Sequence, residues 1–188
     1  MNKYLKLYAL LLLISIFAYS CKGRSEIALD FNCNGSQLSD LESVDDFEKN
    51  FSIPIPKNWK VNLYYDNAQS SIYFADTTKQ LTETMILDIT YIKQKTNFDD
   101  AFLKNIQANY KATALQEEIS KEFVLNTYPS YYTLAKGLRN NFTYTICNIY
   151  VNTNSKNLIH AKLEVYGDSI VNERICKGIS LIEKVAFK

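Results

Sequence analysis

The chain has 188 residues, 47% hydrophobic and 22% charged, with a formal net charge of +1. That size suits one ordinary domain with a sizeable core. A charge so close to balance gives no electrostatic reason to expect nucleic acid or an acidic membrane surface as a partner.

The N-terminus reads as an export signal. Lys3 and Lys6 form a basic head, Leu7 to Phe17 are apolar apart from Ser15, and Ala18-Tyr19-Ser20 precede Cys21. The apolar run is well short of the ~20 residues that cross a bilayer. It has the layout of a cleaved secretory signal with small residues at the cut. The cysteine placed directly after the run resembles the lipobox of bacterial lipoproteins, with Ala18 where leucine is usual. That resemblance implies removal of residues 1–20, acylation of Cys21, and anchorage of an exported, periplasm-facing chain to a bacterial membrane. A single acyl chain binds a bilayer weakly, whereas several on one cysteine hold it. Processing removes two positive charges, from +1 to −1.

Three further cysteines remain, Cys33, Cys147 and Cys176, so at most one intramolecular bridge can form. An exported compartment permits a bridge. Buried thiols are the default, and Cys147–Cys176 is the candidate pair. The spacing contains no C-x-x-C.

Residues 21–46 mix Gly, Ser, Asn and charge without sustained periodicity and read as a flexible tether. The domain is expected over 47–188. Phe51, Ile53 and Ile55 alternate as a strand that Pro54 and Pro56 should stop. Trp59, Val61, Leu63 and Tyr65 alternate as a second strand antiparallel to it. Ile72 and Phe74 mark a third strand, and Met85 to Ile92 a fourth that is apolar on both faces and so covered on both. Asn97 suits a helix N-cap. Phe98, Phe102, Ile106 and Tyr110 then form one helical stripe, with Leu103 beside it, down to Ala112. Asp99 and Asp100 read as first-turn carboxylates rather than a metal or acid–base pair, since adjacent helical residues point apart.

Strands are expected over Glu118–Thr127 and Tyr131–Leu138, with a break at Pro129 between them. A tight turn follows at Asn140-Asn141. Phe142, Tyr144, Ile146 and Tyr150 then share one face of a long strand, with Cys147, Ile149 and Val151 on the other. After a turn at 152–155, Ile159, Ala161, Leu163 and Val165 alternate with His160, Lys162 and Glu164. A last helix should start at Asp168 as its N-cap, with Val171, Ile175, Ile179 and Ile182 as its stripe. The class is α+β, a largely antiparallel sheet with helices packed on it.

This order of elements, with Phe51, Ile53, Pro56 and Trp59 at its start, resembles the PsbP-like fold family over about Phe51 to Val185. The family has bacterial lipoprotein members. The resemblance implies an α/β/α sandwich and a role in binding or assembly rather than catalysis. No family site residue maps onto this chain.

The chemistry on offer is sparse. His160 is the single histidine and falls on the polar face of its strand, which reads as a surface position. A zinc site would need carboxylates that show no motif spacing. No G-x-S-x-G elbow or Gly-rich phosphate loop occurs. Cys33 with His160 would be a nucleophile–base pair only if a tether residue were preorganised. The expectation is therefore no catalytic residue, no metal and no cofactor. Tyr64, Tyr131 and Tyr132 are candidates for an exposed aromatic binding patch, against the reading that their rings complete the core. The function expected is a membrane-anchored lipoprotein that binds or stabilises another envelope component, most simply a protein. The alternatives are a carrier of an apolar ligand, a secretion-linked chaperone and, last, an unrecognised hydrolase.

Overall fold

A computed structural model describes residues 24–35, 38–154 and 156–188. The segment read as an export signal and Cys21, the expected acylation site, lie outside them. The elements are α1 (Glu26–Asp30), β1 (Leu41–Asp45), β2 (Phe51–Pro56), β3 (Lys60–Tyr65), β4 (Gln69–Ala75), β5 (Ile86–Ile92), α2 (Asp100–Ala112), β6 (Gln116–Leu125), β7 (Tyr128–Arg139), β8 (Phe142–Asn154), β9 (Asn157–Tyr166), α3 (Val171–Ile182) and β10 (Ala186–Phe187). Seven strands form one antiparallel sheet in the order β3-β4-β5-β9-β8-β7-β6. β1, β2 and β10 form a second, small sheet.

The strand alternation read from the sequence decides which side chains face which layer. Leu87, Ile89, Cys147, Ile149, Val151, Ile159, Leu163 and Val165 are buried in one core with Ile175, Ile179 and Ile182 of α3. Phe51, Ile53 and Ile55 of β2 join this core from the small sheet. On the other face Ile106 and Tyr110 of α2 meet Tyr131, Ala135, Tyr144 and Ile146. The architecture is thus helix, sheet, helix. At Gly178 α3 presses so close to β9 that an added methyl would overlap the Leu163 side chain.

Of the segment read as a tether, residues 24–35 and 38–46 are built into the domain instead. Ser25 caps α1, its Oγ accepting from Ala28 N at 3.2 Å. Ile27, Ala28 and Phe31 are buried in the main core, and β1 pairs with β2 along its length. A Ser N-cap ahead of Ile27 and Phe31, four residues apart, is a helix signal that five residues of length made easy to pass over.

The expected bridge is corrected with it. Cys176 pairs with Cys33, at a Cα–Cα distance of 5.3 Å, because α1 and the residues after it dock against α3. Cys147 is a buried free thiol, facing Leu134 and Leu163 across the sheet, and burial pushes its pKa up to about 12.

Pro54 lies within its strand, and Pro56 is the last residue of it. Phe51 O accepts from Asp46 N and Asp40 O accepts from Lys57 N, so odd-numbered residues of β2 bond toward β1. Even-numbered ones face β10, which reaches only Phe51 and Ser52. The prolines therefore sit where no ladder donor is needed. β3 pairs with β4 in the large sheet, so β2 and β3 are not the expected antiparallel neighbours. Pro129 likewise lies within β7. The turn before it is Asn126-Thr127, with φ of 48° and 76°, and Asn140-Asn141 form a matching turn at 50° and 64°. Both have the positive φ at two central residues that tight hairpins need.

The helix starts also shift. Asp99, not Asn97, caps α2, accepting from Phe102 N at 3.0 Å. Asp168 does not cap α3; its carboxylate accepts from Thr143 Oγ1 at 3.2 Å. Buried Arg174 holds the loop into α3 by donating to the carbonyls of Thr84, Tyr166, Gly167 and Ser169. That loop carries Ile170 in the left-handed region, at φ 44°.

Candidate functional site

α2 covers one part of its sheet face and leaves a cavity of about 540 Å³ against β7, β8 and β9. Its floor is made by pairing register. One row across the sheet runs Asn62, Tyr73, Asp88, Lys162, Asn148 and Thr133, of which Lys162 and Asn148 line the cavity. Sheet faces against a helix are usually apolar, so a polar row here is the unusual feature.

The polar groups form a connected chain. His160 Nε2 lies 2.9 Å from Asn148 Oδ1. An amide oxygen only accepts, so Nε2 carries the hydrogen and Nδ1 is left as an acceptor. Asn148 Nδ2 donates to the Tyr110 hydroxyl at 2.9 Å, and that hydroxyl is hydrogen-bonded to Thr133 Oγ1. The imidazole stacks on Tyr150, centroids 4.4 Å apart and planes 10° from parallel. Burial, with a small contribution from Lys162, lowers the His160 pKa to about 4, so the ring is neutral at physiological pH. His160 is therefore not the surface residue expected from its strand's polar face: that face lies beside α2.

A second cluster stands at the far wall. The buried Glu164 carboxylate accepts from Tyr144 Oη at 2.7 Å and Arg139 Nη1 at 2.9 Å. Arg139 also donates to Tyr144 Oη at 3.1 Å. Burial and the Glu164 charge raise the Tyr144 pKa, and burial raises those of Tyr110 and Tyr150. These phenols therefore stay protonated, and Tyr144 donates to Glu164. Lys162 pairs with Asp88 at 3.3 Å. Gly137 lets the chain after α2 lie on β7, where a Cβ would meet Leu115 Cδ2 at 2.7 Å and Ala114 O at 2.9 Å. The mouth carries Leu138, 73% exposed.

The three tyrosines expected as a patch are not brought together. Tyr64 is exposed, on the stretch of sheet near the β3 edge. Tyr131 is buried under α2 against Phe98 and Phe102. Tyr132 points to the opposite face, 1% exposed, and donates to Asp30 at 2.9 Å. Adjacent strand residues face opposite ways, so the Tyr131-Tyr132 pair could never share a surface. The residues that do gather, Tyr110, Arg139, Asn148, His160 and Glu164, come from four separate elements. The one local hint was polar Asn148 between Ile146 and Tyr150 on an otherwise apolar strand face.

Among the described residues no group of three or more His, Cys, Asp or Glu side chains could hold a metal ion. Among them, too, no helix is long and apolar enough to cross a membrane.

Layer order and strand order together define a PsbP-like α/β/α sandwich. The chain is similar to the solution structure of cyanobacterial PsbP (CyanoP) from Synechocystis, with a TM-score of 0.61 and 12% identity over 83% of this chain and 97% of that one. It is similar to the protein Mog1, as a point mutant, with a TM-score of 0.53 and 7% identity over 78% of this chain and 95% of that one. A protein from Bacteroides thetaiotaomicron matches with a TM-score of 0.51 and 12% identity, over 79% of this chain and 49% of that one. No protein family and no curated protein matches the chain by sequence. At such identities the likeness is one of fold, and function has to be argued from the site.

Proposed function

We propose that this chain is an exported, Cys21-acylated lipoprotein whose domain binds an envelope component in the cavity beneath α2, without catalysis. The observation that carries this reading is the state of the cavity's ionisable groups. Glu164 is taken up by Arg139 and Tyr144, Lys162 pairs with Asp88, and His160 is neutral and fixed by Asn148. A general acid or base needs a pKa near working pH and a reacting partner within hydrogen-bond reach. Here the imidazole pKa is lowered to about 4 and its partner is an amide. Stacked rings, bare acceptors and protonated phenols instead suit recognition of a polar group with an apolar side.

The test is capture in place. A photocrosslinking residue at Leu138 should yield a discrete envelope adduct, and Asn148→Ala should diminish it. Turnover of an envelope substrate by the purified protein, lost in His160→Gln or Glu164→Gln, would overturn the reading.

A further inference from the structure

We infer that the corner formed by α1, the β6–β7 turn and the end of α3 rests on the bilayer, holding the α2 cavity on the side away from the membrane. This rests on the acylation of Cys21 proposed above. Chain length is the first ground. Ser25 is fixed in the fold, capping α1 and donating its hydroxyl to Glu183 after the last turn of α3. Cys21 is four residues before it. Four residues reach at most ~14 Å when fully extended. A domain of this size has a radius of gyration of roughly 15 Å. The link is shorter than the body it holds, so only the surface around Ser25 can lie against the membrane.

The chemistry of that surface is the second ground. Exposed Arg24 and Lys184 flank a second cavity of about 540 Å³ with Ala28, Leu125 and Ile179 in its walls. Leu29 of α1 and Val124 of β6 are 56% and 53% exposed. Of the acids here, Asp30 pairs with Lys121 and Glu183 accepts from the neutral Ser25 hydroxyl, while Glu26 and Glu122 stay exposed. Cations and acids balance beside the anchor, so the short link and the exposed apolar side chains, rather than net charge, hold this face to the headgroups.

Strand geometry then places the cavity. Asn126 in the β6–β7 turn donates to Glu183 O at 2.9 Å, which ties the start of β7 to the anchored corner. The inner part of the cavity, at Tyr150 and His160, is in register with Tyr131, whereas its mouth is at Leu138 and Arg139, where β7 ends 11 residues after Tyr128. At ~3.3 Å per residue the two ends are roughly 35 Å apart. α2 also lies across the sheet from α1 and α3. Whether the domain stands on its corner or lies on its α1–α3 side, the cavity mouth faces the aqueous compartment. Its ligand is therefore a soluble molecule or a protruding part of another envelope component, not a lipid drawn from the bilayer beneath.

Lysine footprinting tests this with native side chains. The acylated protein is purified from membranes and reconstituted in phosphatidylethanolamine–phosphatidylglycerol vesicles. Acetylation is then read by peptide mass spectrometry. The control is the same protein with a flexible Gly/Ser insertion of about 12 residues after Gly23, a reach of roughly 20 Å. Lys184 should be labelled several-fold less than in the insertion variant, with Lys104 and Lys111 of α2 labelled equally in both. Equal labelling of Lys184 in the two proteins, or protection of Lys104 and Lys111, would overturn the orientation while leaving the anchor standing. The same spectra weigh the N-terminal peptide, and Cys21 without acyl mass would overturn the anchor and this inference with it.

Discussion

The two faces of the seven-stranded sheet do different work. Toward α3 the side chains are apolar and closely packed: Leu87, Ile89, Cys147, Leu163 and Val165 are all fully buried, and α3 is clipped to α1 by Cys33–Cys176. Toward α2 the same strands present Asp88, Lys162, Asn148, His160 and Glu164 around a cavity. Buried polar groups lower stability unless their hydrogen bonds are complete. The α2 face meets that condition through the Thr133–Tyr110–Asn148–His160 chain and the Glu164 cluster. The contrast suggests that one face supplies stability and leaves the other free to carry a site.

The largest expected effects lie on the α3 face. Leu163→Ala removes a fully buried side chain beneath Gly178. It should cost ~2–5 kcal/mol, read as a lower midpoint in denaturant at unchanged slope. Replacing Cys33 and Cys176 together by Ala should cost a similar ~2–5 kcal/mol, because the bridge closes a sequence separation of 143 residues. Adding a reductant should shift the native protein toward the double variant and leave that variant unchanged. If the double variant unfolds at the native midpoint, α1 is held by Ile27 and Phe31 alone and the clip is dispensable.

The sequence was most readable where one strand or helix determined its own environment. Alternation over Ile159 to Val165 and over Phe142 to Val151 identified the α3-facing side chains, and the stripe Ile175, Ile179 and Ile182 identified their partner. Asn140-Asn141 announced a hairpin through local φ alone. What was not legible depended on neighbours distant in the chain. β2 and β3, three residues apart, join different sheets. Cys176 chose Cys33 because of where a five-residue helix docks. His160 looks like a surface residue until register sets it beside Asn148 and Tyr150. Site residues drawn from α2, β7, β8 and β9 share no motif, because pairing rather than spacing assembles them.

His160 gives the α2 face its own signature in pH. Burial lowers its folded-state pKa from 6.5 to about 4. As pH falls through 6.5 the unfolded chain takes up a proton that the folded chain refuses. The stability contributed by the neutral ring is thus present above pH 6.5 and lost progressively down to about pH 4. Each pKa unit is worth ~1.4 kcal/mol, and the ring's partial exposure to the cavity reduces the full effect to about 2 kcal/mol. Urea titrations between pH 7 and pH 4 should show that decline in the native protein and a smaller one in His160→Gln. Parallel pH profiles for the two proteins would mean that solvent reaches the ring and that the cavity floor is wetter than its hydrogen bonds imply.

The smallest expected effect on stability is the sharpest test of the division between faces. Leu138 has the same side chain as Leu163 but is 73% exposed at the cavity mouth, whereas Leu163 is fully buried. Truncating an exposed side chain leaves no void, so Leu138→Ala should change stability by no more than ~0.5 kcal/mol. Its apolar surface should instead matter to whatever the cavity takes up. Recovery of the native photocrosslink, with the probe moved to exposed Asn109 on the opposite rim, should fall in this variant. A loss of several kcal/mol would show that Leu138 packs as core and that the α2 face is a second stability layer rather than a site. Unchanged stability with unchanged crosslinking would move the binding surface away from this mouth, toward the uncovered strands that carry Asn62, Tyr64 and Tyr73.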